Sequence, residues 1–85
     1  MAESMEERKA KVREFLGRYV RHHEVRDEDD IFALGFVNSL VALQLVQFLE
    51  KEFGITVEDE DLDLDNFRSI DRIDGFVARK TGVAA

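Results

Sequence analysis

Apolar residues recur along this chain at helical spacing, and almost nowhere with the alternation that marks a strand. Ser4 followed by Glu7 forms a capping-box pattern. Met5, Val12, Phe15, Leu16, Tyr19 and Val20 then follow at helical spacing, predicting a first helix over Met5 to His22. Its polar face carries Arg8, Lys9, Lys11, Arg13, Glu14 and Arg18, a mixed-sign surface that reads as solvated. A long connection from His23 to Val37 follows. Its acid cluster Asp27-Glu28-Asp29-Asp30 precedes Ile31, Phe32 and Leu34, which are expected to pin the loop to the core.

A second helix is predicted from Ser39 to Phe53, stopped by Gly54, a residue suited to a left-handed C-terminal cap. Ala42, Leu45, Val46, Leu49 and Phe53 fall on its core stripe. Leu40, Gln44, Gln47 and Lys51 lie opposite, with Val41 and Phe48 along one flank, packed on a neighbour or open to a partner. Ile55 to Val57 alternates briefly, but without a second strand it reads as loop. Residues 58–65 hold six acids, interrupted only by Leu62 and Leu64, one or both of which a brief helical turn could insert. Ser69 is the expected N-cap of a last helix with Asp71 in its first turn. Ile70, Ile73, Phe76 and Val77 share one face, Arg79 and Lys80 suit its C-terminal end, and Gly82 lies beyond. The pattern predicts an all-α fold: an up-down bundle of three main helices plus one short one.

Eighty-five residues with 45% apolar content make one small domain over 1–85, too short to enclose a deep cavity and an enzyme pocket as well. No cysteine is present, so any thioester chemistry needs an imported thiol. No apolar run has the length of a membrane span, and the charged start is unlike a signal, so a cytoplasmic, membrane-free protein is expected. Net charge is −7, of which residues 31–85 contribute −5. That sign disfavours nucleic acid and favours basic protein partners. Monomer is the simplest oligomeric state.

Sharper chemistry fits poorly. A calcium loop starting at Asp59 would put Leu64 at the required glycine and Ile70 at the bidentate glutamate. A start at Asp61 would put Asn66 and Arg72 there, so no metal site is expected beyond diffuse screening of divalent ions. Adjacent His22 and His23 point about 100° apart on a helix and share no face. Ser39 lacks the Gly-x-Ser-x-Gly elbow and the strands that would present a hydrolase nucleophile, so no catalytic residue is assigned and the chain is read as non-enzymatic. Taken alone, Ser39 is a helix N-cap or first-turn serine.

The segment Ile31-Phe32-Ala33-Leu34-Gly35-Phe36-Val37-Asn38-Ser39-Leu40 resembles the attachment site of acyl carrier proteins, where a Gly-bearing loop leads to Asp-Ser-Leu. The similarity extends from the first helix through Glu52-Phe53-Gly54-Ile55 to Asn66-Phe67-Arg68-Ser69-Ile70-Asp71-Arg72-Ile73. It points to freestanding carriers of polyketide and related pathways, including those of modified malonyl extender units. The resemblance implies a four-helix carrier bundle in which Ser39 bears a 4'-phosphopantetheine arm donated from coenzyme A. The arm would hold an acyl or aminoacyl thioester for delivery to biosynthetic enzymes. Implied partners are a phosphopantetheinyl transferase, acyl-loading and acyl-modifying enzymes, and a polyketide or related synthase. Asn38 and Leu40 would be read by the transferase; Val41, Gln44 and Lys51 would contribute to docking.

A phosphodiester on the first turn would meet free backbone N–H groups and the positive end of the helix dipole. Two departures from the family pattern carry consequences. Asn38 keeps the capping ability of the usual Asp but not its charge, and a charged contact is worth about 1.5–3 kcal/mol when desolvated. The second helix offers Val41, Gln44, Gln47 and Lys51 where fatty-acid carriers have acids, so recognition should depend less on salt. The competing reading is an unmodified helical interaction module using the outer face of the second helix.

Overall fold

The computed structural model describes residues 4–20 and 24–82. They form α1 (Met5–Gly17), α2 (Ser39–Phe53), a one-turn 3-10 helix (Asp59–Asp61), α3 (Leu64–Phe67) and α4 (Ile70–Thr81). No strand occurs among the described residues. The all-helical bundle is the expected one, with α4 packed against α1, α2 and α3. Among the described residues, no helix is long and apolar enough to cross a membrane.

Each helix begins where its sequence provides an acceptor. Ser4 Oγ receives the Glu7 N–H at 3.2 Å while the Glu7 carboxylate receives the Ser4 N–H, closing the capping box. Asn38, Asp63 and Ser69 cap α2, α3 and α4 in the same manner through their side-chain oxygens. Gly54 ends α2 at φ +63°, where the left-handed turn carries no Cβ penalty.

Leu45, Leu49, Ile70, Ile73, Phe76, Val77, Val12, Leu16 and Ile31 are buried almost completely and make one continuous core. Burial of each large aliphatic side chain favours the fold by about 1.5–3 kcal/mol. Ala42, Val46 and Phe53 of the expected α2 stripe are half-buried at its border. Phe15 of α1 stacks on Phe48 of α2 with ring centroids 4.8 Å apart, so Phe48 packs against the neighbouring helix.

The first helix is shorter than its periodicity predicts. It ends at Gly17 and tightens through bonds from the N–H groups of Arg18 to Phe15 and of Tyr19 to Leu16. Gly17 is a poor helix residue, and the Leu16 carbonyl accepts from both Tyr19 and Val20, so the helix frays through a mixed i−3 and i−4 turn. The rest of the predicted extension, including His22 and His23, lies outside the described residues. Met5, assigned to the apolar stripe, is exposed.

Arg8 and Lys9 are buried rather than solvated, because they continue the core stripe of Val12, Phe15 and Leu16 toward the acids of α4. Arg8 makes a two-pronged contact with Asp74, Nε to Oδ1 at 2.6 Å and Nη2 to Oδ2 at 3.3 Å. Lys9 Nζ donates to Asp71 at 2.8 Å and to Asp27 at 3.2 Å, and Arg13 also donates to Asp27. The Asp71 contact, ahead of Asp27, raises the Lys9 pKa above its usual range against the opposing effect of burial. Hydrogen bonding from Arg13, and then from Lys9, holds the Asp27 carboxyl below the usual carboxylate range. This network fastens the start of the long connection to α1 and α4.

Candidate functional site

The connection into α2 is built around Ile31. Its side chain is fully buried, its N–H donates to the Arg68 carbonyl at 2.8 Å, and its own carbonyl accepts from Phe36 and Val37. Both backbone polar groups of a buried residue are thereby satisfied. Asp30 Oδ1 accepts from the N–H groups of Phe32 and Ala33 and shapes the turn. Gly35 sits at φ +78°, a conformation that strains any residue with a Cβ. The tight turn throws Leu34 outward, so this residue does not pin the loop as expected; Ile31 and half-buried Phe32 do.

Ser39 emerges as the first residue of α2, exposed, with Asn38 as the cap. Asn38 Oδ1 accepts the Val41 N–H at 3.0 Å, and the Asn38 carbonyl accepts from Ala42 at 2.8 Å. The N–H groups of Ser39 and Leu40 belong to the first turn, where no intrahelical acceptor exists. No acidic residue lies in that turn. A monoanionic phosphodiester on Ser39 Oγ would therefore meet the positive helix end without a carboxylate beside it, an arrangement worth about 0.3–1 kcal/mol on a surface.

Ser39 also opens onto a groove of about 250 Å³, lined by Phe32, Ala42, Leu43, Val46 and Phe67 and edged by Leu62, Asp63 and Leu64. The sequence leaves room for one or both of Leu62 and Leu64 to insert; neither does. Both are more than half exposed and border the groove, while Phe67 and Ile70 are the buried apolar residues of this part of the chain. Asp63 turns its carboxylate back onto the Asp65 N–H at 3.0 Å. Among the described residues, no group of three or more His, Asp or Glu side chains is placed to hold a metal ion.

The other sequence-predicted site residues spread along α2. Leu40 stands beside Ser39 with 64% of its surface exposed. Val41 is half-buried against the core. Gln44, also half-buried, accepts a hydrogen bond from the Tyr19 hydroxyl, which ties the end of the first helical segment to α2. Lys51 is exposed but twelve residues on, roughly 18 Å along the helix axis from Ser39. Sequence reasoning missed Leu43, which lies four residues after Ser39 and three after Leu40. That helical spacing was the available signal.

A family model described as phosphopantetheine attachment site matches residues 9–73, a span that includes the Ile31 loop, the Ser39 turn and α2. The chain belongs to this family. Members carry a covalently attached 4'-phosphopantetheine, and the exposed hydroxyl, capped helix start and acid-free first turn suit that group chemically. Carrier domains of this family work with phosphopantetheinyl transferases and biosynthetic enzymes. Comparison with curated proteins finds no match.

Proposed function

We propose that Ser39 is the attachment residue and that the chain, as a single domain over 1–85, is a discrete non-catalytic acyl carrier protein. The observation that carries this reading is an exposed serine at the first position of a capped helix, within the matched span of the family. The arm forms a phosphodiester with Ser39 Oγ, and its terminal thiol holds the acyl or aminoacyl group that a cysteine-free chain has no means to bind. A modified malonyl extender unit for a polyketide or related synthase is the cargo favoured by the resemblance of the loop. Enzymes that load, modify and consume the cargo dock in turn at the Ser39 end of α2. A tethered cargo reaches each active site at an effective concentration set by the arm's length rather than by diffusion. The protein supplies address and reach; a cytoplasmic monomer suffices.

The test is intact-protein mass after incubation with a broad-specificity phosphopantetheinyl transferase and coenzyme A. One phosphopantetheinyl group should be gained, and Ser39→Ala should abolish the gain while leaving the helical circular dichroism unchanged. No gain by the folded chain with several transferases would overturn the reading in favour of an unmodified interaction module.

A further inference from the structure

We infer that residues 58–66 form a strap along one side of the groove beside Ser39, latched to the C-terminal end of α4, so that releasing the latch widens the groove while the helices stay folded. The latch goes beyond attachment at Ser39 and stands whether or not that serine is modified.

The strap has no apolar anchor of its own. Ile55 before it and Phe67 after it are buried, whereas no residue from 56 to 66 is. Leu62, Asp63 and Leu64 nevertheless line the groove, together with Ala42, Leu43 and Val46 of α2. A segment without buried apolar side chains is held by whatever its polar groups can bond, and it opens at a lower free energy than the fold as a whole. Its first tether is the Val57 N–H, which donates to the Glu50 carboxylate of α2 at 3.0 Å.

The remaining tethers converge on two adjacent side chains of α4. Lys80 Nζ donates to Asp61 Oδ2 at 2.7 Å, and the same oxygen closes the 3-10 turn by accepting the Glu58 N–H at 2.9 Å. Asn66 donates from Nδ2 to the Asp61 carbonyl at 2.8 Å and accepts from Arg79 Nη2 at 3.0 Å. The groove-lining residues Leu62 to Leu64 lie between these two tethers and move with them. The Asp61 and Lys80 side chains are 20% and 26% exposed, so solvent screens their contact less than it screens an ordinary surface pair. Lys80, and then the Glu58 N–H, holds the Asp61 carboxyl below its usual range, while Asp61 raises Lys80, so the latch is charged at neutral pH. Asp65 pairs with Arg68 three residues on, at the hinge where Phe67 anchors the chain.

The chain has no cysteine, so Val46→Cys places a single thiol of similar size in the groove. Its rate of alkylation by iodoacetamide reads access to the groove, and amide exchange at Glu58, Asp61 and Leu62, followed by NMR without the added thiol, reads the strap. Lys80→Met keeps the aliphatic stem and removes the ammonium, Asn66→Ala removes the second tether, and Arg72→Met removes the same charge from an exposed position at the start of α4. Loss of a partly exposed charged hydrogen bond should raise both rates at least about threefold in Lys80→Met, and likewise in Asn66→Ala. The amides of Leu45 and Leu49 in α2 should stay within about twofold of the parent, and Arg72→Met should leave every rate within that range. A rise of less than about threefold in either readout for Lys80→Met, or acceleration of Leu45 and Leu49 by the same factor as the strap, would overturn the inference. Neither readout uses coenzyme A or a transferase, so the outcome is independent of loading at Ser39.

Discussion

Replacing Asp74 with alanine removes the carboxylate opposite a guanidinium that the fold has already taken out of water. The side chains of Arg8 and Asp74 are 7% and 9% exposed, and their contact is two-pronged. Breaking one side of such a buried pair costs about 3–5 kcal/mol, chiefly because the remaining charge stays desolvated. For 85 residues the whole folding free energy is roughly 4–13 kcal/mol, so this single change removes about a quarter of it or more. With a urea slope of about 1 kcal/mol per M for a chain of this size, the unfolding midpoint should fall by about 3 M or more, or the chain should be unfolded in buffer. The double variant Arg8→Met with Asp74→Leu replaces charge by apolar volume and should recover most of the loss. Circular dichroism during urea titration reads all three proteins. A midpoint for Asp74→Ala within about 0.5 M of the parent would refute the reasoning, since the pair would then contribute no more than a surface contact.

Asn38→Ala should destabilise the chain by about 1 kcal/mol through loss of the α2 cap, whereas Asn38→Asp should hold it within a few tenths, both read from thermal unfolding. Gly35→Ala should cost about 1–2 kcal/mol because φ is +78° there, measured in the same assay against Gly17→Ala, where nothing stands within 4 Å of the added Cβ and φ is not positive. Asp27 has a depressed pKa in the fold, so its contribution is complete above the ordinary value of about 3.9 and is lost as pH falls through the lower folded value. Urea midpoints between about pH 2 and pH 6 should therefore fall on the acid side, and Asp27→Asn should flatten that fall.

Local signals carried the helices. Ser39 to Phe53 with Gly54 after it, and Ser69 opening the last helix, are where capping chemistry and apolar period agree, and the structure places them there. The end of α1 was misread because Tyr19 and Val20 continue the period beyond Gly17, where the helix frays into a terminal turn. Arg8 and Lys9 looked solvated because their partners Asp74 and Asp71 lie 66 and 62 residues away, beyond the reach of any local pattern. At the candidate site, Ser39 and its cap were legible. The groove was not: its walls come from three segments, the loop at Phe32, α2, and residues 62–67, which no local pattern brings together.

Ile31 joins two parts of the chain that are distant in sequence, since its N–H is satisfied by Arg68 in the turn between α3 and α4 while its carbonyl closes the loop before Ser39. Both sets of bonds are anchored on one fully buried side chain. In hydrogen exchange the amides of Ile31, Phe36 and Val37 should then share one opening free energy, graded with the interior and not with the exposed turns. The serine-bearing end is in this sense a stiff mount. With the arm on Ser39 as proposed, the compliance needed for handing over a load would reside in the arm, because the loop before it is tied to the interior through Ile31.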